Sequence, residues 1–203
     1  LTWATPPSSN ACWEISADKM NATNNQCTGK KVFATNPRNS GKWFIELLIN
    51  PKFGWDYHAL GLYCTGADGG HSNSFGWYTN PRSNPGEVYY SKDWVANNMN
   101  PIFYGKVQDT YVPGDIVGLA FNADVGSVEF YLNGEAQGMM VGPASLNPAK
   151  ELSFAGELCK PYLFDGAGVK DNEGSVTIRQ YPKYDIPGGF KWWGETKSTF
   201  RSC

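Results

Sequence analysis

The stretch "GDIVGLAFNADVGSVEFYLNGEAQG", Gly114 to Gly138, constrains this chain more than any other. Its Asn133-Gly134 pair is the strongest short-range hairpin signal, because a type I′ turn needs positive φ at both central residues. The residues before that pair alternate. Val128, Phe130 and Leu132 fall on one side and Ser127, Glu129 and Tyr131 on the other, the period of a strand with one face in a core. Upstream, residues 122–126 make a second turn, and residues 116–121 form a strand of small and apolar side chains expected to be buried on both faces. Two hairpins therefore stand back to back. Asp115 and Asp124 sit where a turn needs a carboxylate to accept backbone N–H groups, so the stretch reads as frame and not as a reactive site.

The remaining segments repeat the pattern. In "KWFIELLIN", residues 42–50, Trp43, Ile45, Leu47 and Ile49 share one face, while Phe44, Glu46 and Leu48 share the other. Further strands are expected at residues 31–34, at 58–64, and in "FGWYT", "EVYYS", "KPYLFDG" and "SVTIRQY". Gly61 removes a side chain where something packs closely. Pro, Gly and Asn punctuate the gaps, with one helical turn expected at "KDWVANN" and a Pro/Gly turn with an aromatic tail at "DIPGGFKWW". Aromatics make up 15% of the chain against 18% charged residues, with 23 Gly and 13 Pro, which suits pleated faces joined by tight turns. Ten or so short strands without an amphipathic helix predict an all-β chain: a two-sheet antiparallel β-sandwich. A length of 203 residues supports one sizeable core. We divide it into residues 1–30, a lead-in partly packed on the sandwich and loose over residues 1–10; 31–191, the sandwich; and 192–203, a tail.

A net charge of -2 without a basic run gives no attraction to nucleic acid or to an anionic membrane, and no apolar stretch is long enough to cross a bilayer. The chain starts at Leu1 with no visible signal peptide, so it is read as a processed product or an excised part. Asn21-Ala22-Thr23 matches the N-glycosylation pattern. The five cysteines are Cys12, Cys27, Cys64, Cys159 and Cys203. No CxxC occurs, which argues against a zinc knuckle. Cys12 and Cys27 bracket a short polar loop that a disulfide would close. The odd count leaves at least one thiol unpaired or paired outside the chain.

Hydrolytic chemistry on sugars needs two carboxylates about 5–10 Å apart in one cleft. Glu46 and Glu129 are the strand acids available, on the non-core or inter-sheet side, and no Glu-x-Asp-x-Glu spacing occurs. His58, Cys64, Asp68 and His71 are too loosely spaced for a metal site, and no cofactor is expected. The better signal is aromatic. Trp55, Tyr57 and His58 lie in "FGWDYH", and Trp94 lies near Asn97 and Asn98. Rings stack on flat apolar faces and amides read hydroxyls or backbone. With Asp68, His71 and Arg82 these residues form the candidate ligand-binding loops. Trp43, Phe121, Phe130, Phe164 and Phe190 are assigned to the core. Of the adjacent Trp192 and Trp193, one is expected buried and one exposed.

Several separated motifs, in order, resemble the SPRY family. "SGKWFIELLIN" is similar to its opening strand and "ALGLY" to the next. "YVPGDIVGLAFNADVGSVEFYLNGEAQG" resembles its central signature, and "KPYLF" its Pro-containing strand. The resemblance covers roughly residues 32–190. "SFGWYTN", Tyr104-Gly105 and "IPGGFK" look like SPRY modules of bacteriophage and bacterial surface proteins. The resemblance implies a concanavalin-like sandwich used for recognition through loops at one edge, without catalysis. The expected partner is a protein or glycan on a host or a neighbouring subunit, with the chain extracellular or on a virion surface. The alternative is a decoration, fibre or capsid-associated piece that self-assembles. A third reading is a polysaccharide hydrolase using Glu46 and Glu129.

Overall fold

The computed structural model describes residues 1–6, 13–24, 30–50, 58–66, 72–79, 86–92, 102–142, 154–165 and 175–194. The strands among them are β1 (Trp13–Ile15), β2 (Asn21–Asn24), β3 (Lys30–Phe33), β4 (Lys42–Ile49), β5 (His58–Thr65), β6 (Ser72–Thr79) and β7 (Glu87–Lys92). There follow β8 (Ile102–Lys106), β9 (Ile116–Asn122), β10 (Ser127–Leu132), β11 (Glu135–Val141), β12 (Leu158–Asp165), β13 (Ser175–Ile178) and β14 (Lys191–Trp192). They form two sheets. The larger has the order β1-β2-β13-β4-β9-β10-β11, with β14 added in parallel to β4. The smaller has six strands in the order β3-β12-β5-β6-β7-β8.

The back-to-back hairpins form as their turn residues require. Leu132 pairs with Glu135, leaving Asn133 (φ 50°) and Gly134 (φ 89°) as a two-residue turn with both φ values positive. Asn133 Nδ2 donates to Asp115 Oδ1 at 2.8 Å, and Val112 N donates to Asp115 Oδ2 at 2.8 Å. The turn acid before β9 thus fixes the turn after β10. Asp124 does the same at the other end, accepting from Gly41 N at 2.8 Å and so tying the start of β4 to the β9–β10 turn.

The inner faces of the two sheets meet in one core. Ile45, Leu47 and Ile49 of β4, Val117, Leu119 and Phe121 of β9, and Val128 and Phe130 of β10 pack there with Leu60, Leu62, Phe75, Trp77 and Leu163 of the smaller sheet. Trp77 meets Tyr111 and Phe130 edge to face, with centroids 5.0 and 5.9 Å apart, a favoured ring geometry. Cys64 and Cys159 stand directly opposite each other on β5 and β12 and form a fully buried disulfide. Cys12 and Cys27, the expected pair, lie outside the described residues. A Cβ on Gly61 would fall 1.7 Å from the carbonyl oxygen of Phe75, so the close approach of β6 to β5 excludes any side chain there.

The outer face of the larger sheet is covered as well. Residues 179–194 run across it, and Phe44, Ala120 and Trp192 form a second buried cluster with Tyr131, Ile186 and Phe190. Glu46, expected on the non-core or inter-sheet side, lies on this outer face and is buried beneath the segment at 1% exposure. Trp192 and Trp193 are both buried, not one of the two. Trp192 enters the outer cluster, while Trp193 stacks on Phe121 of the main core at 5.7 Å. Trp43 and Phe190, assigned to the core, are only partly buried, Trp43 lying under the Arg38 guanidinium at 4.1 Å. Phe121 and Phe130 are fully buried as expected. At the other end of the chain, residues expected to lie loosely are built in. Trp3 is buried, its indole donating to Val176 O at 3.2 Å, and β1 and β2 are strands of the larger sheet itself.

Candidate functional site

Strand register sorts the loops proposed from the sequence. His58 pairs with Thr79, so the segment before β5, carrying Trp55 and Tyr57, and the segment after β6, carrying Arg82, leave from one end of the smaller sheet. Thr65 pairs with Ser72 and Asn73 with Lys92. The segments with Asp68 and His71, and with Trp94, Asn97 and Asn98, therefore leave from the opposite end. Among these candidates only His58 lies within the described residues, as the first residue of β5. Trp55, Tyr57, Asp68, His71, Arg82, Trp94, Asn97 and Asn98 lie outside them. Cys64, weighed as a metal ligand beside His58, is committed to the disulfide.

The described residues bring together a different set, on the outer face of the smaller sheet. Along β3, Val32 points into the core, so Lys31 and Phe33 point away from it. Along β12, Leu163 is in the core, so Lys160 and Tyr162 lie on the outer side. On β5 the outer residues are Ala59, Gly61 and Tyr63. Phe33 and Tyr63 meet at 4.9 Å between centroids with planes at 54°. Lys160 Nζ lies 4.8 Å from the Phe33 ring centre and 6.0 Å from that of Tyr63. Lys31 Nζ lies 5.5 Å from the Tyr63 ring centre, with no side chain at Gly61 between them. Tyr162 and Ala59 are fully buried beneath this cluster, while Phe33 and Tyr63 are half-buried. The sequence carries a faint trace of it: a Lys-x-aromatic triplet on each of two strands, Lys31-Val32-Phe33 and Lys160-Pro161-Tyr162.

Burial acts on both lysines. It pushes the Lys31 ammonium down to about 7 and lowers that of Lys160 from its ordinary value, because a low-dielectric setting disfavours the charged form. The unfolded chain, with an ordinary lysine, holds the proton until pH 10.5. Between about 7 and 10.5 the unfolded state binds more protons at this residue, so stability rises with pH through that window. Chemical denaturation of the wild type and Lys31→Met across the window measures this. We expect the wild type to gain on the variant as pH rises, and a constant difference would show that Lys31 titrates alike in both states.

No protein-family model matches the sequence, and no curated protein matches it. Solved structures do. The SPRY domain of human HERC1 superposes with a TM-score of 0.55 at 14% identity, covering 82% of this chain and 91% of that one. The fold is a SPRY/concanavalin-like sandwich. The carbohydrate-binding module CBM66 from Bacillus subtilis is similar at a TM-score of 0.50 and 12% identity, over 87% of this chain and 91% of that one. A β-agarase A in complex with oligoagarose reaches 0.49 at 12% identity, over 79% and 71%. A sandwich of this kind does not by itself fix a chemistry, which depends on its side chains.

In this SPRY-like sandwich the two acids of the hydrolase reading are engaged structurally. Glu46 accepts from Lys183 N at 2.7 Å and Tyr184 N at 3.0 Å. Arg179 Nε stands 2.9 Å from its Oε2, a charge contact whose N–H is not aligned on the oxygen. Glu129 Oε2 accepts from Tyr131 Oη at 2.9 Å. Asn21 of the glycosylation triplet is equally committed. Its Oδ1 accepts from Asn50, Ser175 and Thr177 at 2.9, 3.0 and 3.2 Å, on a strand flanked by β1 and β13. One further depression, of about 310 Å³, is lined by Met20, Leu48, Ile178, Arg179 and the exposed Tyr181.

Proposed function

We propose that this chain is a recognition module that binds carbohydrate without catalysis, and that the outer face of the smaller sheet is its platform. The observation that carries the reading is the Phe33–Tyr63 ring pair flanked by Lys31 and Lys160. Two rings set at an angle offer apolar faces to the C–H face of a sugar, and the flanking ammonium groups read its oxygens. The likeness in fold to a carbohydrate-binding module supports the class, and the engagement of Glu46 by Arg179 and two backbone amides speaks against its use as a catalytic acid. The buried disulfide supports an extracellular or particle-surface setting, since such bonds persist in oxidising compartments.

Binding of the full chain to a glycan array, followed by calorimetry on the best ligands, tests the platform. Phe33→Ala and Tyr63→Ala should each weaken binding about tenfold or more, the loss of one stacked ring, with circular dichroism unchanged. Loss on Trp55→Ala or Trp94→Ala with none on Tyr63→Ala would move the site to the loops and overturn this assignment.

A further inference from the structure

We infer that the outer face of the larger sheet carries a second carbohydrate site, in the depression beside Tyr181, and that it takes one ring of a neutral polysaccharide chain. It shares no residue with the Phe33–Tyr63 face. β13 turns Val176 and Ile178 into the core, so Thr177 stands on the outer face next to Leu48, its partner on β4. Half-buried Leu48 and Met20 give the depression an apolar floor, and Thr177, Arg179 and Gln180 give it polar groups. Tyr181 stands at its side with 69% of its surface exposed. That side is held in place before any ligand arrives. Arg179 N donates to Glu46 O at 3.0 Å, Trp192 Nε1 donates to Gln180 O at 3.0 Å, and Gln180 Nε2 donates to Tyr181 Oη at 3.4 Å. Little ordering cost therefore falls on binding.

A volume of about 310 Å³ lies at the lower end of the range for small-ligand sites, about 300–1,000 Å³. It suits one sugar ring, and its opening to solvent lets the chain continue on both sides. A pyranose lays its C–H face on aromatic and apolar surface and turns its hydroxyls outward. A leucine or phenylalanine side chain of a partner protein would cover Leu48 and Met20 equally well. It would also strip water from the Gln180 amide and the Tyr181 hydroxyl without replacing those hydrogen bonds, which is costly. Along β13 the polar groups continue. Thr177 Oγ1 donates to Asn21 Oδ1 at 3.2 Å, and Asn50 Nδ2 donates to Thr177 Oγ1 and Ser175 Oγ at 2.9 Å each. Arg179 is the charged residue described in the lining, and Glu46 stands 2.9 Å from its Nε. The pair brings no net charge, so a neutral sugar leaves no ion without its counterion.

The two sites face away from each other across both sheets, so one molecule holds two polymer chains, one on either side. That cross-linking rests on the reading of the Phe33–Tyr63 face as a platform; the Tyr181 site does not. Methyl NMR of the full chain labelled on methionine tests the site, because Met20 lines it and Tyr63 belongs to the other sheet. The probes are cellohexaose, maltohexaose, xylohexaose, the neutral leaders of the glycan array and a short phenylalanine peptide. At least one neutral oligosaccharide should move the Met20 signal to saturation, with little dependence on salt. Tyr181→Ala should weaken that titration about tenfold or more, and Tyr181→Phe should keep it. The exposed ring makes both substitutions safe for the fold, so the unfolding midpoints should hold. With the matching polysaccharide the wild type should raise turbidity, while Tyr181→Ala and Tyr63→Ala should each bind without cross-linking. A Met20 signal that no sugar moves, or that moves alike in Tyr181→Ala, overturns this inference; binding still lost on Tyr63→Ala would leave the platform standing. A response to the peptide and to no sugar, or to concentration of the protein alone, overturns it in favour of a protein partner or a second copy. A Met20 response with binding indifferent to Tyr63→Ala keeps this site and overturns the platform.

Discussion

Replacing both Cys64 and Cys159 by alanine should lower the unfolding free energy by about 4–5 kcal/mol, the chain-entropy value for a loop of this length. The two residues are separated by 95 positions, and the bond joins the neighbouring strands β5 and β12 of the smaller sheet. Arg38 pairs across the same residue, donating to Cys159 O at 2.7 Å and accepting from Cys159 N at 2.8 Å, so loss of the bond also loosens the turn before β4. Urea denaturation of the double variant against the wild type, both without reductant, measures the cost and leaves the other cysteines untouched. A midpoint unchanged by the substitution would show that the strand ladder alone holds β12 in place. Because both sulfurs are fully buried, reduction of the wild type should follow the rate of opening, and not the concentration of thiol.

Glu46→Ala should cost about 3–5 kcal/mol, the range for removing one partner of a buried charged pair. The substitution leaves Arg179 without its carboxylate and the amides of Lys183 and Tyr184 without their acceptor. The damage should concentrate in residues 179–194, whose attachment to the outer face depends on that carboxylate as well as on Phe44, Trp192 and Phe190. Hydrogen exchange would show faster exchange there than in β9 and β10. Glu46→Gln separates structure from catalysis. A structural carboxylate predicts lower stability with ligand binding on the smaller sheet kept. A catalytic one predicts turnover on polysaccharide that vanishes while stability stays put, and that result would overturn the binding-only reading.

What the sequence shows of this fold follows the range of the interactions involved. The hairpins around Asn122–Gly126 and Asn133-Gly134 were legible because turn chemistry is local: positive φ, an accepting carboxylate, alternation on either side. Burial of β9 on both faces was legible from its small residues, Gly118 and Ala120 among them. The burial of Glu46 and of both adjacent tryptophans escapes a local reading for one reason. Alternation distinguishes an inner from an outer face, but it does not say that the outer face is also covered. Once residues 179–194 cross it, a strand residue on either side is buried, and Trp192 and Trp193 each reach a cluster of their own. The disulfide was out of reach because five cysteines admit many pairings. The ring and lysine cluster was missed because its members meet only through the pairing of β3, β12 and β5, over a separation that no local pattern encodes. The loop residues read from the sequence, Trp55 and Trp94 foremost, rest on aromatic content near turns and lie outside the described residues.

The order of strands has a consequence for how the molecule is made. β13 lies between β2 and β4, β12 lies between β3 and β5, and β14 is laid along β4. Each sheet thus has a slot in its first half that only the last quarter of the chain fills. A nascent chain emerging from the ribosome cannot close either sheet until residues 158–193 have followed. Until then β2, β3, β4 and β5 present unsatisfied edges, the state most open to mispairing with a second chain. Translation rate and chaperone cover over that last stretch should therefore govern yield more than any feature of the tandem hairpins, which can form as soon as they appear.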